Sequence, residues 1–145
     1  AMREKPLPIT LGLALVTTGA SDHLATRLSG LAGLPTLVAV GSVAVLTLVL
    51  TTVASNTASA AILIPVAIPL AGVLGLDPVA LVAIVAIASS IDFALVIGTP
   101  PTMVAYSTGL FTPGEIFRRG VVLDLVGIVL LVVAVTGLWA WLGVV

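Results

Sequence analysis

The fold class that this sequence predicts is an all-α integral membrane protein, a helical bundle with a re-entrant hairpin and a broken transmembrane helix. Three observations lead to it. Hydrophobic residues make up 60% of the 145-residue chain and charged residues 8%, with a mean hydropathy of +1.36. A soluble domain is about a quarter charged, so this chain lacks the charge to cover a surface that faces water. Next, two polar stretches interrupt the apolar runs: Ser55-Asn56-Thr57, within Ala54 to Ala60, and Gly98-Thr99-Pro100-Pro101-Thr102. Last, the second stretch carries two consecutive prolines. They remove two backbone N–H groups and push the preceding residue away from helical dihedrals, so a helix is expected to unwind there.

The same numbers exclude several classes of function. The net charge is −1, and no basic stripe is present to neutralise phosphates, so nucleic acid is not a partner. The chain has no cysteine, which removes disulfides, thiolate metal sites and cysteine nucleophiles. The single histidine, His23, has only Asp22 beside it and does not make a zinc site. Ser55 has no His or Lys within its motif to act as a base, and Asp92 has no partner acid. The chain is therefore not read as an enzyme, and no cofactor is called for.

The 145 residues read as a single transmembrane unit. Residues 7–33 hold a short apolar run followed by an amphipathic segment. The run 7–20 is too short to span hydrocarbon, which takes about 20 residues. In residues 21–33, Leu24, Leu28 and Leu31 recur at spacings of four and three and share one helix face, as in a short helix lying at the membrane interface. Residues 34–75 are expected to form a hairpin with Ser55-Asn56-Thr57 at its tip, although the first arm, at about 20 residues, is also long enough to cross the membrane fully. Thr47, Thr51 and Thr52 gather toward that tip, and Pro65 and Pro69 predict kinks or an early end in the second arm. Gly75-Leu76-Asp77-Pro78 is a turn by composition. Residues 79–110 are a broken helix, expected to run to Gly98, stop at Thr99-Pro100-Pro101 and resume at Met103. Thr112-Pro113-Gly114-Glu115 reads as a helix start, with Arg118-Arg119-Gly120 ending that short piece. Residues 121–145 are the last transmembrane helix, with Trp139 and Trp141 as interfacial anchors. Arg118 and Arg119 set the orientation by the positive-inside rule: a multi-pass protein of the cell membrane with its C-terminus outside.

The polar breaks carry the chemistry. Helix starts expose unpaired N–H groups and helix ends expose unpaired C=O groups, each terminus carrying about half a unit charge. Starts attract anions; unwound carbonyls attract cations, and transporters with broken helices use both. The first break presents the hydroxyls of Ser55 and Thr57 and the amide of Asn56. The second presents Thr99, Thr102 and carbonyls such as that of Gly98. No Lys or Arg stands near either break, so an anion is held by neutral donors and can be released. The plain counter-reading is that these polar residues are interhelical hydrogen-bond glue.

At these residues the chain resembles the divalent anion:sodium symporter family, the sodium/sulfate and sodium/dicarboxylate carriers. Ser55-Asn56-Thr57-Ala58-Ser59-Ala60-Ala61 with Ile64-Pro65 is similar to the family's Ser-Asn-Thr signature. Thr99-Pro100-Pro101 with Tyr106-Ser107-Thr108-Gly109 is similar to its Thr-Pro-Pro segment. Gly12-Leu13-Ala14-Leu15 and Thr18-Gly19 match an earlier stretch of its second half. The resemblance implies an elevator-type carrier with two inverted repeats, of which this chain is the second, C-terminal one. It implies substrate contacts at Ser55, Asn56, Thr57, Thr99 and Pro100. Thr102 stands where the family often has Asn and is counted with them. It implies a sodium ion, the coupling ion and the sole metal expected, bound at the Thr51, Ala54 and Asn56 positions and the carbonyl of Gly98. The expected function is secondary active transport of a small inorganic or carboxylate anion, with this chain supplying half of the site. Only one Ser-Asn-Thr is present, so the partners expected are the missing N-terminal half, the lipid bilayer and, when complete, a second copy in a homodimer. The alternative is a non-transporting membrane subunit or degenerate half-carrier.

Two acids fall outside that pattern. Asp92, about two turns before Thr99 on an expected helix, is costly within a membrane and has two readings: a coupling residue that binds a cation or carries a proton, or a carboxyl simply held by Ser89, Ser90, a neighbouring helix or water. Asp124, one turn into the last helix, reads as interfacial charge balance for Arg118 and Arg119.

Overall fold

The computed structural model describes residues 7–142, apart from the side chains of Leu7, Pro8, Trp139 and Leu142. All the regular structure among the described residues is helical. It comprises α1 (Leu7–Thr17), α2 (Ala20–Arg27), a 3₁₀ helix (Leu28–Gly33), α3 (Thr36–Val53), α4 (Asn56–Leu74), α5 (Pro78–Ala88), α6 (Pro100–Ser107) and α7 (Pro113–Leu142). Three of these, α3, α4 and α7, are long and apolar enough to cross a membrane. The 18 residues of α3 and 19 of α4 rise about 27–28 Å at about 1.5 Å per residue, close to the roughly 30 Å of a bilayer's hydrocarbon.

The distribution of polarity is the inverse of a soluble protein's. Thr47, Thr51, Ser59, Ser89, Asp92 and Asp124 are buried, while Val122, Leu123, Leu125, Val129 and Leu130 of α7 are exposed. An exterior of this kind is stable against lipid tails, which do not penalise apolar surface. The core lies where α4 meets α5, around Leu70, Leu81, Ile84 and Val85, and α3 and α7 close it.

Several helix starts and stops have a local cause. Ser55 accepts the Ala58 N–H at 3.2 Å and starts α4. Gly75 ends α4 in the left-handed region at φ 67°, which glycine enters without penalty. Asp77 accepts the Ala80 N–H at 3.0 Å and starts α5, with Pro78 in the first turn where no N–H is needed. Thr112 and Glu115 cap α7 reciprocally: the Glu115 carboxylate accepts the Thr112 N–H at 2.9 Å, and the Thr112 hydroxyl accepts the Glu115 N–H at 3.3 Å.

Several expectations are corrected. The helix expected to reach Gly98 ends at Ala88, and residues 89–99 are not helical. The two prolines do not stop a helix; they open α6 as its first two residues, where their missing N–H groups are no loss. Arg118-Arg119-Gly120 does not end a helix, since α7 runs unbroken from Pro113. Pro65 and Pro69 do not end α4 early. Pro65 leaves the Ala61 carbonyl without its helical donor. α1 packs on α4 at that point, and a Cβ on Gly12 would lie only 2.7 Å from that carbonyl oxygen. In α2, Ser21 and Ala25 are buried and Leu24 is exposed, while Leu28 and Leu31 pack against the core. Trp141 is exposed; the side chain of Trp139 lies outside the described residues.

Candidate functional site

The first break is the joint between α3 and α4, at Ala54 and Ser55. Both residues are extended, which turns the chain without a loop. Ser55 and Thr57 are exposed and Asn56 is half-buried. Because Ser55 caps the Ala58 N–H, the amides of Asn56 and Thr57 are the first two of α4, and among the described residues no hydrogen bond engages them. Thr51, buried one turn before the joint, ties it to the rest of the bundle. Its hydroxyl lies 2.8 Å from Asn56 Oδ1 and 2.8 Å from the Ser89 carbonyl. A hydroxyl has one proton to give. It is shared between the two acceptors, or it goes to Ser89 with the Asn56 amide turned to donate; the two amide orientations are nearly isosteric.

The second break is residues 89–99, and α7 holds it open. The Asp124 carboxylate accepts the Phe93 N–H at 2.8 Å and the Ala94 N–H at 3.1 Å. These are the backbone donors that a continuing helix would have paired internally. One turn earlier, Gly120 brings the α7 backbone directly against Phe93 and Ala94; a Cβ there would meet the Phe93 carbonyl and lie 2.6 Å from Ala94 Cα. Gly127 faces Ile91, whose Cγ2 would lie 3.2 Å from an added Cβ. Gly120, Asp124 and Gly127 stand at helical spacings of four and three on one stripe of α7. Asp124 is therefore not a surface counter-charge for Arg118 and Arg119. It is 3% exposed and satisfies buried backbone.

The start of α6 differs from that of α4. Pro100 and Pro101 have no N–H to give. The Thr102 hydroxyl accepts the Thr99 N–H at 3.2 Å, sits 3.1 Å from the Thr99 hydroxyl, and has the Thr99 carbonyl at 2.7 Å and the Val96 carbonyl at 3.2 Å as acceptors for its proton. The hydroxyls of Thr99 and Thr102 are thus spent largely on their own loop. Among the described residues, no hydrogen bond reaches the Gly98 carbonyl, and no hydrogen bond joins Ser55, Asn56 or Thr57 to Thr99 or Thr102. What the structure brings together is Thr51, Asn56 and Ser89 in one cluster, and Gly98 and Asp92 in another. Asp92 is fully buried, both its oxygens lack a partner, and it packs on Gly98 so closely that a Cβ there would overlap its carboxylate.

Chemically these groups are neutral hydroxyls, amides and carbonyls, plus one bare carboxylate. Among the described residues there is no group of three His, Cys, Asp or Glu side chains to hold a metal ion. Oxygen donors suit hard cations such as sodium rather than soft ones; the structure offers them in two clusters, Asn56 Oδ1 in the first and the Gly98 carbonyl with the Asp92 carboxylate in the second. The sequence singles out Ser55, Asn56 and Thr57, which the structure puts at the start of α4, but not the bracing of residues 89–99 by Asp124 and Gly120. Their signal was the Gly-x₃-Asp-x₂-Gly spacing in an otherwise apolar helix.

Comparison with known proteins adds an independent line. The description "Sodium:sulfate symporter transmembrane region" matches residues 8–145. An uncharacterized transporter of Haemophilus influenzae is 35% identical over 135 residues, covering 92% of this chain and 29% of that protein. Na(+)/dicarboxylate cotransporter 3 of Rattus norvegicus is 34% identical over 123 residues, covering 85% of this chain and 20% of its own length. The sodium-dependent dicarboxylate transporter SdcS of Staphylococcus saprophyticus is 28% identical over 127 residues, covering 88% and 24%. The chain thus spans less than a third of the length of each of these relatives.

Proposed function

Because the chain belongs to the sodium:sulfate symporter transmembrane family, we propose that it supplies half of the binding site of a secondary carrier that moves a small divalent anion together with sodium. The family description names sulfate, and two of the relatives are named for sodium and dicarboxylates. What sulfate and a dicarboxylate share is a compact double negative charge with several acceptor oxygens, and the start of α4 is built for that. The observation that carries the reading is the exposed pair Ser55 and Thr57 beside the unengaged first amides of a membrane-length helix. Backbone N–H groups at a helix start, aided by its dipole, bind anions without a fixed positive charge. Binding by neutral donors leaves the anion free to leave again, which a carrier requires.

In this reading α3 and α4 form the re-entrant hairpin, and α5, residues 89–99 and α6 form the broken helix. Ser55, Asn56 and Thr57 face the anion, with Thr99, Pro100 and Thr102 at the edge of the same site. Sodium lies beside it at Thr51, Ala54, Asn56 and the Gly98 carbonyl. A second Ser-Asn-Thr tip, from the part of the carrier outside these 145 residues, closes the site from the opposite side. The unit is the second inverted repeat of an elevator-type carrier that works as a homodimer, with its C-terminus outside the cell membrane.

The test is uptake by the full-length carrier bearing Asn56→Ala or Thr57→Ala. Uptake of labelled sulfate or succinate should fall at least about tenfold, the loss of roughly 1.4 kcal/mol of binding or transition-state stabilisation, while membrane insertion and melting temperature are kept. Wild-type uptake in both variants would overturn the assignment.

A further inference from the structure

We propose, resting on the sodium-coupled reading above, that Asp92 is the charged member of the cation site: its carboxylate, seated behind Gly98, supplies the negative charge that holds sodium at the second break. The two buried acids of this region make the case by contrast. Asp124 is how a structural carboxylate looks here, with one oxygen taking the Phe93 N–H and the other the Ala94 N–H. Asp92 is fully buried, yet neither of its oxygens has a donor. A bare carboxylate out of water is strongly disfavoured unless a cation compensates it or a proton neutralises it, and the sodium dependence measured below distinguishes the two.

Among the described residues no Lys, Arg or His pairs with Asp92. The charged group acting on it from the packed helices is Asp124 of α7, of the same sign. Two neighbouring acids call for a positive charge from outside the chain. Gly98 seats the carboxylate against the backbone: an added Cβ would lie 2.9 Å from Asp92 Oδ1 and 2.7 Å from its carboxyl carbon. Next to that contact is the Gly98 carbonyl, which accepts no hydrogen bond among the described residues. Carboxylate and carbonyl oxygens together are the donor type hard cations take. Neutral helix-end donors for the anion and one buried carboxylate for the cation also explain how the two loads are kept apart in so small a site.

The experiment uses the purified full-length carrier in wild-type, Asp92→Asn and Gly98→Ala forms. Two readouts are taken: the rise in melting temperature as sodium replaces potassium, and the sodium concentration for half-maximal uptake of sulfate and succinate. Asp92→Asn keeps the shape and removes the charge. Gly98→Ala keeps the charge and pushes the carboxylate aside, so a folding failure in one variant leaves the other to decide. The expected result is sodium stabilisation in the wild type, largely lost in both variants, with the half-maximal sodium concentration raised about tenfold or more, as expected for removing one charge at close range. Unchanged sodium stabilisation in the variants, beside a sodium-responsive wild type, would overturn the assignment of Asp92 alone. A wild type indifferent to sodium in both readouts would overturn the sodium-coupled reading itself, and this inference with it.

Discussion

The two breaks in this bundle solve the same problem, polar backbone inside an apolar protein, in opposite ways. The first is a two-residue joint whose capping is local: Ser55 serves Ala58, and Thr51 reaches across to Ser89. It leaves hydroxyls and N–H groups pointing outward. The second is the long stretch 89–99, which is held by a partner far along the chain, Asp124. Phe93, Ala94, Gly98 and Thr99 have their N–H groups bonded, whereas among the described residues those of Asp92, Leu95, Val96 and Ile97 make no hydrogen bond, and the Gly98 carbonyl and the Asp92 carboxylate stay without donors. The first break presents hydroxyls and amides alone, and only the second adds a buried carboxylate without a donor. With one helix start left open and the other filled with proline and threonine, that asymmetry matches a site that takes an anion and a cation side by side.

Removing the brace should have the largest effect on this contrast. Asp124→Ala orphans one buried and one part-buried N–H group and should cost about 3 kcal/mol, at roughly 1–3 kcal/mol for each. Asp124→Asn keeps one acceptor oxygen and should lose less. The melting temperature of the full-length carrier reads both, and a wild-type value for Asp124→Ala would mean that α7 does not hold the second break open. Gly120→Ala comes next. A methyl group forced against the Phe93 and Ala94 backbone should cost on the order of 1–3 kcal/mol in the same assay. Thr51→Val is the mildest change, since it removes one hydroxyl and keeps the shape. It should cost about 1 kcal/mol and weaken sodium stabilisation, because Asn56 is then no longer tied to Ser89. An unaltered sodium response would separate Thr51 from the cation side of the site.

The contrast also marks what was legible in the sequence. The first break was readable because its cause is local: Ser, Asn and Thr between two apolar runs place a cap and a helix start where they fall. The turn at Gly75 to Pro78 and the start at Thr112 were readable for the same reason. The extent of the second break was not. Residues 91–97 read Ile-Asp-Phe-Ala-Leu-Val-Ile, a run with no proline or glycine, and nothing in it forbids a helix. What unwinds it is a carboxylate thirty positions later, and local propensity carries no record of such a partner. Asp124 was misread as a surface charge because sequence distance to Arg118 and Arg119 was visible, whereas the side of α7 that it occupies was not. Gly120 was misread as a stop because glycine ends helices, although here its missing side chain admits another backbone. The prolines at 100 and 101 marked the right place with the wrong sense, as they begin a helix and do not end one.

The measurement that bears most directly on the account is uptake of labelled sulfate or succinate by the full-length carrier in proteoliposomes. It compares an inward sodium gradient with potassium at equal ionic strength. With the sodium gradient the anion should accumulate above its external concentration; with potassium it should only equilibrate, slowly. Equal uptake under both conditions, or none with either anion, would contradict sodium-coupled anion transport.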